Sequence, residues 1–176
     1  RLILKEVTEK IEPLSVQQGG FRSNRGCIDQ IAALQQWNCQ KPNRPRIMAF
    51  LDIKAAYDSV DRSLLWDKCR RKGFKEDLIK LLVALFDNNH AVVAVNGSRS
   101  EPFFLQSGVL QGSILSPCLY SLFIDDIINK MSEVEGTDAT INGRRVDGLL
   151  YADDIVLIGH SVERVQSLLE KCQEYA

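Results

Sequence analysis

Towards the end of the chain stands Leu149-Leu150-Tyr151-Ala152-Asp153-Asp154-Ile155-Val156-Leu157-Ile158, in which two adjacent carboxylates separate two apolar segments. Short apolar segments rich in Leu, Ile and Val are typical of buried β-strands. A tight turn between them predicts a β-hairpin with Asp153 and Asp154 at its tip. Carboxylates are costly where the chain otherwise favours burial, unless a cation compensates them. The pair therefore indicates a cation site, and a turn in which Asp only forms local hydrogen bonds is the competing interpretation.

A further carboxylate, Asp52, ends another short apolar segment, which begins at Ile47. This segment predicts a second buried strand. A sheet that carries both strands side by side would bring Asp52 next to Asp153 and Asp154. Hard divalent cations prefer oxygen ligands, and two such ions about 4 Å apart can activate an attacking hydroxyl and stabilise a departing oxygen. The three carboxylates therefore favour two-metal catalysis.

The rest of the chain mixes helical and strand patterns. Apolar spacing with capping and breaking residues predicts helices at 2–11, around 28–34, between Asp61 and Gly73, at 76–86, from Pro117 onwards and at 162–175. In the helix at 76–86 we expect the inward-facing residues to be Leu78, Leu81, Leu82 and Leu85. Two Asn-Gly pairs, at 96–97 and 142–143, supply the positive φ angles of hairpin turns. This mixed order predicts an α+β fold.

Composition excludes several classes of protein. The 176 residues, 45% of them hydrophobic, suffice for one domain with a buried core. No apolar run is long enough for a transmembrane helix and no secretory signal is visible, so we expect a soluble, intracellular protein with no membrane partner, in the nucleus or the cytoplasm. The five cysteines lack C-x-x-C spacing and indicate free buried thiols. No nucleophile motif accompanies His90 or His160, which argues against a Ser/His/Asp hydrolase.

Charge is distributed unevenly along the chain. Residues 1–72 hold 14 Lys and Arg against 8 Asp and Glu, whereas residues 73–176 hold 8 against 15, giving net charges of +6 and -7. One half is therefore suited to phosphates and the other to cations.

Four segments resemble the motifs of reverse transcriptases and occur in the order found in that family. Phe50-Leu51-Asp52-Ile53-Lys54-Ala55-Ala56-Tyr57-Asp58-Ser59-Val60 resembles the first palm motif, Gly108-Val109-Leu110-Gln111-Gly112-Ser113-Ile114-Leu115-Ser116-Pro117 the second, and Tyr151-Ala152-Asp153-Asp154 the third. Upstream, Gln18-Gly19-Gly20-Phe21-Arg22-Ser23-Asn24-Arg25-Gly26-Cys27 resembles the preceding fingers motif. Because four motifs occur in order, the chain is identified as a member of this family, most similar to its non-LTR retrotransposon and group II intron types.

The resemblance implies a right-hand polymerase with fingers and palm, in which a small antiparallel palm sheet packs on helices. It predicts fingers at 1–46, palm with the first motif at 47–72, a fingers insertion at 73–107, and palm with the second and third motifs at 108–176. It also predicts that part of the fingers and the whole thumb lie outside these residues. We therefore expect these 176 residues alone to be an incomplete polymerase.

The activity implied by the resemblance is RNA-directed DNA polymerisation. In that reaction the primer 3′-hydroxyl attacks the α-phosphorus of a dNTP and pyrophosphate leaves. Asp52, Asp153 and Asp154 would be the catalytic residues and would ligate two Mg²⁺ ions, with Mn²⁺ as the alternative metal. The backbone carbonyl of Ile53 would complete the ligand shell.

The resemblance also assigns nucleotide-binding residues. Tyr57 matches the aromatic residue that excludes a ribose 2′-hydroxyl, and Gln111 with Gly112 matches the pair that lines the nucleotide pocket. Arg22 matches a fingers arginine suited to phosphate. A packing role for Tyr57 and a plain turn at Gln111-Gly112 are the alternatives.

An RNA or DNA template with its primer is the expected macromolecular partner, and the oligomeric state is left open. Basic residues and one tyrosine are the candidates for contacts with it: Arg25, Lys41, Arg44, Arg46, Arg70, Arg71, Lys72 and Tyr151. Solvated surface charge is the alternative for the two basic clusters.

Two other functions stay open at this point. One is a domesticated or inactive relative that binds nucleic acid or a protein without catalysis, although intact Asp52, Asp153 and Asp154 speak against it. The other is an RNA-dependent RNA polymerase, which the aromatic Tyr57 disfavours because a site for ribonucleotides needs space or a hydrogen-bonding partner there.

Overall fold

The computed structural model describes residues 2–40, 43–87, 89–136 and 139–175. The chain divides into two compact units. Unit 1 comprises Arg1–Glu12 and Ala55–Phe123, and unit 2 comprises Pro13–Lys54 and Ile124–Ala176. These bounds differ from the predicted fingers and palm segments, which are defined by function and stay a prediction. None of the helices in the described ranges is long and apolar enough to cross a lipid bilayer.

Six helices and nine short strands are formed by the described residues. In chain order they are α1 (Leu2–Ile11), α2 (Cys27–Cys39), β1 (Ile47–Asp52), α3 (Arg62–Arg71), α4 (Glu76–Phe86), β2 (His90–Ala91), β3 (Ala94–Val95), β4 (Ser98–Arg99), β5 (Phe103–Phe104), α5 (Ser116–Ser132), β6 (Thr140–Ile141), β7 (Arg144–Arg145), β8 (Gly148–Tyr151), β9 (Asp154–Gly159) and α6 (Val162–Tyr175). All the predicted helices are present, and both Asn-Gly pairs connect paired strands, β3 to β4 and β6 to β7.

Unit 1 is built on the pair α3 and α4. Asp61 caps α3 as predicted, because its carboxylate accepts a hydrogen bond from the Leu64 amide at 3.1 Å. Trp66 of α3 meets Phe86 of α4 edge-on, with ring centroids 5.9 Å apart.

Two of the four residues predicted to face inward on α4 are exposed. Leu78 and Leu82 are buried as expected, together with Ile79 and Phe86, whereas Leu81 and Leu85 are exposed. The helix carries its own apolar residues on most of its sides, so their spacing alone did not identify the side that is buried.

Unit 2 is centred on an antiparallel sheet with strand order β1-β9-β8. Its first face carries Met48, Phe50, Leu149, Val156 and Ile158, because residues opposite each other in the ladder share a face. The second face carries Leu150, Ile155 and Leu157, all buried.

Helix α2 covers part of the first face. Its Trp37 is fully buried and shares a core with Leu149, Val156, Ile158 and residues of the β6-β7 hairpin. Of the apolar positions that predicted this helix, Leu34 packs against this core, whereas Ile28 is 79% exposed and Ile31 is 55% exposed.

A buried ionic cluster lies directly before β8. The carboxylate of Asp147, which is 2% exposed, accepts a hydrogen bond from Arg145 Nε at 2.6 Å and another from the guanidinium of Arg164 in α6 at 2.5 Å. Arg164 also donates to the carbonyls of Val134 and Glu135. This cluster connects α6 to the residue directly before β8.

Candidate active site

Two of the three predicted catalytic carboxylates are direct neighbours. Asp52, at the end of β1, stands opposite Asp154, at the start of β9, in the antiparallel ladder. Tyr151 of β8 stands opposite Asp154 on its other side. The three side chains therefore lie in a row on the first face of the sheet. The predicted side-by-side arrangement of the two strands is confirmed.

The carboxylates are open to solvent, so the prediction that they lie where the chain favours burial is wrong. Asp52 and Asp154 are exposed and Asp153 is half-exposed, because all three lie where the strands end. Within the described ranges none of them forms an ion pair or a side-chain hydrogen bond. Among the described residues, no group of three His, Cys, Asp or Glu side chains is arranged to hold a metal ion. The structure thus brings together Asp52 and Asp154, with Asp153 one residue away in the turn.

The turn between β8 and β9 consists of Ala152 and Asp153. Ala152 has a φ of 60°, and Asp153 does not have a positive φ, which is the pattern of a type II′ turn. Glycine is the usual residue at that first position, so the alanine is strained there. The Asp153 backbone therefore depends on its surroundings to stay in place.

Arg22, predicted to bind phosphate, and Arg25, predicted to contact the template, belong to the loop that precedes α2. Arg22 donates from one guanidinium nitrogen to the carbonyls of Ser15, at 2.8 Å, and Gln18, at 3.0 Å. Arg25 donates to the carbonyl of Val16 at 3.0 Å. Both arginines bind carbonyls of this loop, and the phosphate role of Arg22 and the template contact of Arg25 stay predictions.

An apolar groove extends from the carboxylates along the first face of the sheet, towards α2. It is lined by Asp52, Tyr151 and Asp154 at one end and by apolar residues of the sheet and of α2, among them Ile31 and Phe50. Phe50 is 74% exposed. The sequence did not reveal this groove, because the segment that contains Phe50 was expected to form a buried strand.

In unit 1, Tyr57 is half-buried and packs against Tyr120 of α5, with ring centroids 5.2 Å apart. Gln111 Nε2 lies 3.3 Å from each carboxylate oxygen of Asp58, so the second motif is tied to the first. Gly112 has a φ of 87°, and a β-carbon placed there would meet no described atom within 4 Å. The backbone at Gly112 is thus open to an approaching molecule, as the nucleotide-pocket prediction requires.

Sequence reasoning missed Arg62, which organises the loop leading into the second motif. Arg62 is 7% exposed, and its guanidinium donates to three carbonyls, those of Leu105, Ser107 and Gly108, at 2.8 to 3.0 Å. An Arg directly after a capping Asp reads as a surface residue, and no local signal distinguishes it. Its importance follows only from the loop that folds over it.

The predicted template-binding residues have varied surroundings. Arg46 donates to the Trp37 carbonyl at 3.2 Å and lies 5.9 Å from the Trp37 ring centre, while Arg44 is exposed. Arg70 is paired with Asp67 and Glu76, Arg71 is exposed, and Lys72 is half-buried. Lys41 lies outside the described residues. Template contacts by this set stay a prediction.

Comparison with known families decides the identity of the fold. The family described as "Reverse transcriptase (RNA-dependent DNA polymerase)" matches residues 1–176. The chain belongs to the reverse transcriptase family. This match confirms the assignment made from the four motifs. Enzymes of this family transfer nucleotides and generally use divalent metal ions.

Relatives of this reverse transcriptase domain are proteins of non-LTR elements. It is 27% identical, over 90% of its length, to the "Retrovirus-related Pol polyprotein from type-2 retrotransposable element R2DM" of Drosophila melanogaster. It is 29% identical, over 99% of its length, to the "RNA-directed DNA polymerase from mobile element jockey" of Drosophila funebris. The domain spans 15% and 19% of these two curated relatives.

A solved structure shows the same fold. An apo telomerase from Candida tropicalis, truncated from the C-terminal domain, superposes with a TM-score of 0.66 at 16% identity, over 99% of this chain and 38% of that chain. The predicted α+β fingers and palm architecture is confirmed.

Proposed function

We propose that the polypeptide containing this domain is an RNA-directed DNA polymerase, which extends a primer 3′-hydroxyl with dNTPs on an RNA or DNA template. The observation that carries the proposal is the pairing of Asp52 with Asp154 beside the Asp153 turn, in a chain matched by the reverse transcriptase family over 1–176. The proposal places the enzyme inside the cell, where dNTPs and nucleic acid templates occur.

The carboxylates fit a divalent cation. Like charges directly opposite each other on neighbouring strands destabilise a sheet, and no described cation compensates Asp52 and Asp154. Their oxygens are the donors that Mg²⁺ prefers. We propose that Asp52, Asp153 and Asp154, with the carbonyl of Ile53, hold two Mg²⁺ ions, and that Mn²⁺ can replace them. When bound, the ions would activate the primer hydroxyl and neutralise charge on the phosphate.

The domain's own residues would bind and orient the substrates. The ring of Tyr57 would occupy the space that a 2′-hydroxyl needs, and Tyr120 packs against this ring. The open backbone at Gly112, with Gln111 held by Asp58, would receive the nucleotide. Arg22, whose planar and permanently charged guanidinium suits phosphate, would contact the phosphates of the nucleotide. Base pairing with the template selects the base.

Primer extension tests the proposal. The polypeptide in its natural length would be given RNA and DNA templates, a labelled primer and Mg²⁺, with dNTPs in one arm and rNTPs in the other. We expect dNTP-dependent extension that EDTA abolishes and that Asp153→Asn loses. Extension with rNTPs alone would indicate an RNA polymerase, and nucleic acid binding without extension would indicate a relative that does not catalyse.

A further inference from the structure

Residues 17–20, termed here the brace, lie in parallel alongside β8 of the catalytic hairpin. The Gly19 amide donates to the Leu150 carbonyl at 2.8 Å, and the Leu150 amide donates to the Gln17 carbonyl at 3.0 Å. Gln18 and Leu150 form the resulting parallel bridge. The brace thus occupies the open edge of β8, immediately before the turn that carries Asp153.

Gly20 brings the brace against the turn itself. A β-carbon built at Gly20 would lie 2.2 Å from the Ala152 amide nitrogen and 2.8 Å from the Ala152 α-carbon. Both are backbone atoms, so a side-chain rotation cannot relieve the clash. Ordinary contact needs about 3.5 Å, so any larger residue would push the two backbones apart by roughly 1 Å. Gly20 therefore permits an approach that sets the position of the turn.

Gln18 fixes the geometry of the brace from within. Its side chain is fully buried, and its Oε1 accepts a hydrogen bond from the Gly20 amide at 2.8 Å. Its Nε2 finds no partner among the described residues. The bond to the Gly20 amide therefore holds the buried Gln18 side chain within the brace.

The turn between β8 and β9 is strained at Ala152. Ala152 occupies the left-handed region at a φ of 60°, a conformation that persists only where neighbouring structure determines it. Asp153 is the next residue, so any relaxation of Ala152 moves its carboxylate. The brace contacts Ala152 on the side of its amide nitrogen.

We infer that Gly20 and Gln18 are positioning residues, which hold the strained Ala152-Asp153 turn so that the Asp153 carboxylate keeps its place for metal binding. This inference rests on the proposed function and deepens it. It also gives the glycine-rich start of the fingers motif a role at the carboxylates, separate from the phosphate role proposed for Arg22.

The test is Gly20→Ala in the natural-length polypeptide. Displacement of a reacting group by about 1 Å costs on the order of 100-fold in rate, so we expect kcat for dNTP incorporation to fall by about that factor. The Mg²⁺ concentration for half-maximal activity should rise, while KM for dNTP at saturating Mg²⁺ should change little. A purely structural role would lower the melting temperature without changing the Mg²⁺ dependence of the protein that remains folded.

Gly26→Ser is the matched control within the same loop. A β-carbon at Gly26 meets nothing described closer than Asp29 Oδ2 at 3.9 Å, and serine is favoured at this helix N-cap. We expect wild-type kcat and wild-type Mg²⁺ dependence from it.

A second variant, Gln18→Met, covers the case in which Gly20→Ala does not fold. Methionine matches the length of glutamine but cannot accept the Gly20 hydrogen bond. Hydrogen exchange of the Gly19 and Leu150 amides should be slow in the wild type and faster in this variant, independently of catalysis. Its Mg²⁺ requirement should shift in the same direction as that of Gly20→Ala.

The outcomes separate the two proposals. A wild-type protein that polymerises, combined with Gly20→Ala and Gln18→Met variants of unchanged kcat and Mg²⁺ dependence, would overturn the positioning role and leave the proposed function standing. Rapid exchange of the Gly19 and Leu150 amides in the wild type would overturn it as well. A wild-type protein with protected amides but no incorporation on any template would instead overturn the proposed function.

Discussion

Asp52 and Asp154 face each other across two antiparallel strands, each at the strand end nearest the Asp153 turn. This pairing places two like charges side by side with no described cation between them. Such a pair opposes folding slightly, and under the proposed function it also binds a divalent ion, so stability and metal affinity should respond to neutralisation in opposite directions.

Neutralising one member of this pair should stabilise the metal-free protein. For Asp154→Asn in EDTA we expect the free energy of unfolding to rise by about 0.5 kcal/mol, since opposed like charges cost roughly 0.2–1 kcal/mol. Urea titration of Asp52→Asn, Asp154→Asn and the double variant measures the coupling. Additive effects of the two substitutions would mean that the carboxylates do not repel each other.

Asp153→Asn should abolish catalysis without affecting the fold. The residue is half-exposed in a turn, so the free energy of unfolding should stay within about 0.5 kcal/mol of wild type. Incorporation should fall by roughly 100-fold or more, because a ligand charge is lost. Asp67→Asn, at an exposed carboxylate of α3, is the control and should retain full activity. Substantial residual turnover of Asp153→Asn would count against metal ligation by this residue.

Tyr57→Val should relax sugar selection. Removing the ring supported by Tyr120 opens the space that a 2′-hydroxyl needs, so the preference for dNTP over rNTP in kcat/KM should fall by at least about tenfold. Tyr57→Phe keeps the ring and should keep the preference. Equal selectivity in the Val and Phe variants would leave Tyr57 with a packing role only.

Arg62→Lys should loosen the loop that leads to Gln111. A lysine cannot reproduce the planar fork that serves three carbonyls, so at least one buried carbonyl loses its partner. We expect a loss of about 2–4 kcal/mol in the free energy of unfolding, and a higher KM for dNTP. Arg71→Lys, at an exposed position of the same helix, should stay within about 0.5 kcal/mol of wild type. Similar losses in the two variants would show that the loop does not depend on Arg62.

The cysteines should divide into two reactivity classes. Burial raises the pKa of Cys69 to about 12, with Cys118 nearby contributing, and burial raises the pKa of Cys118 and of Cys172 to about 11. Cys27 and Cys39 are exposed, which corrects the expectation that all five thiols are buried. Maleimide at pH 8 should therefore label Cys27 and Cys39 in the folded protein and all five thiols after unfolding. Rapid labelling of Cys69 in the folded protein would contradict its burial.

The same pKa shifts set the sign of an alkaline effect. The unfolded thiols release their protons near pH 9, whereas the folded ones keep them until about pH 11 to 12. The folded state therefore binds more protons in this window, so the free energy of unfolding should fall as the pH rises above 9. Cys69→Ala should flatten this dependence in pH-dependent urea titrations, and an unchanged slope would argue against the raised pKa.

Local patterns predicted much of the fold. The helices Glu76–Phe86 and Val162–Tyr175 have the predicted bounds, because caps, breakers and apolar spacing act within a few residues. The Asp61 cap and the two Asn-Gly turns follow from the same local chemistry. Which side of a helix packs inward depends on distant partners, so the exposure of Leu81 and Leu85 was not foreseen.

By itself, the sequence determined the family and the two strands that carry Asp52 and Asp154, since motif order and short-range patterns are properties of the chain. Only the tertiary structure decided that Asp154 is the partner of Asp52, that Arg62 holds the loop before the second motif, and that Gly20 touches Ala152. These contacts join segments dozens of residues apart. Ladder register and backbone approach arise from the packing of whole elements, and no single segment encodes them.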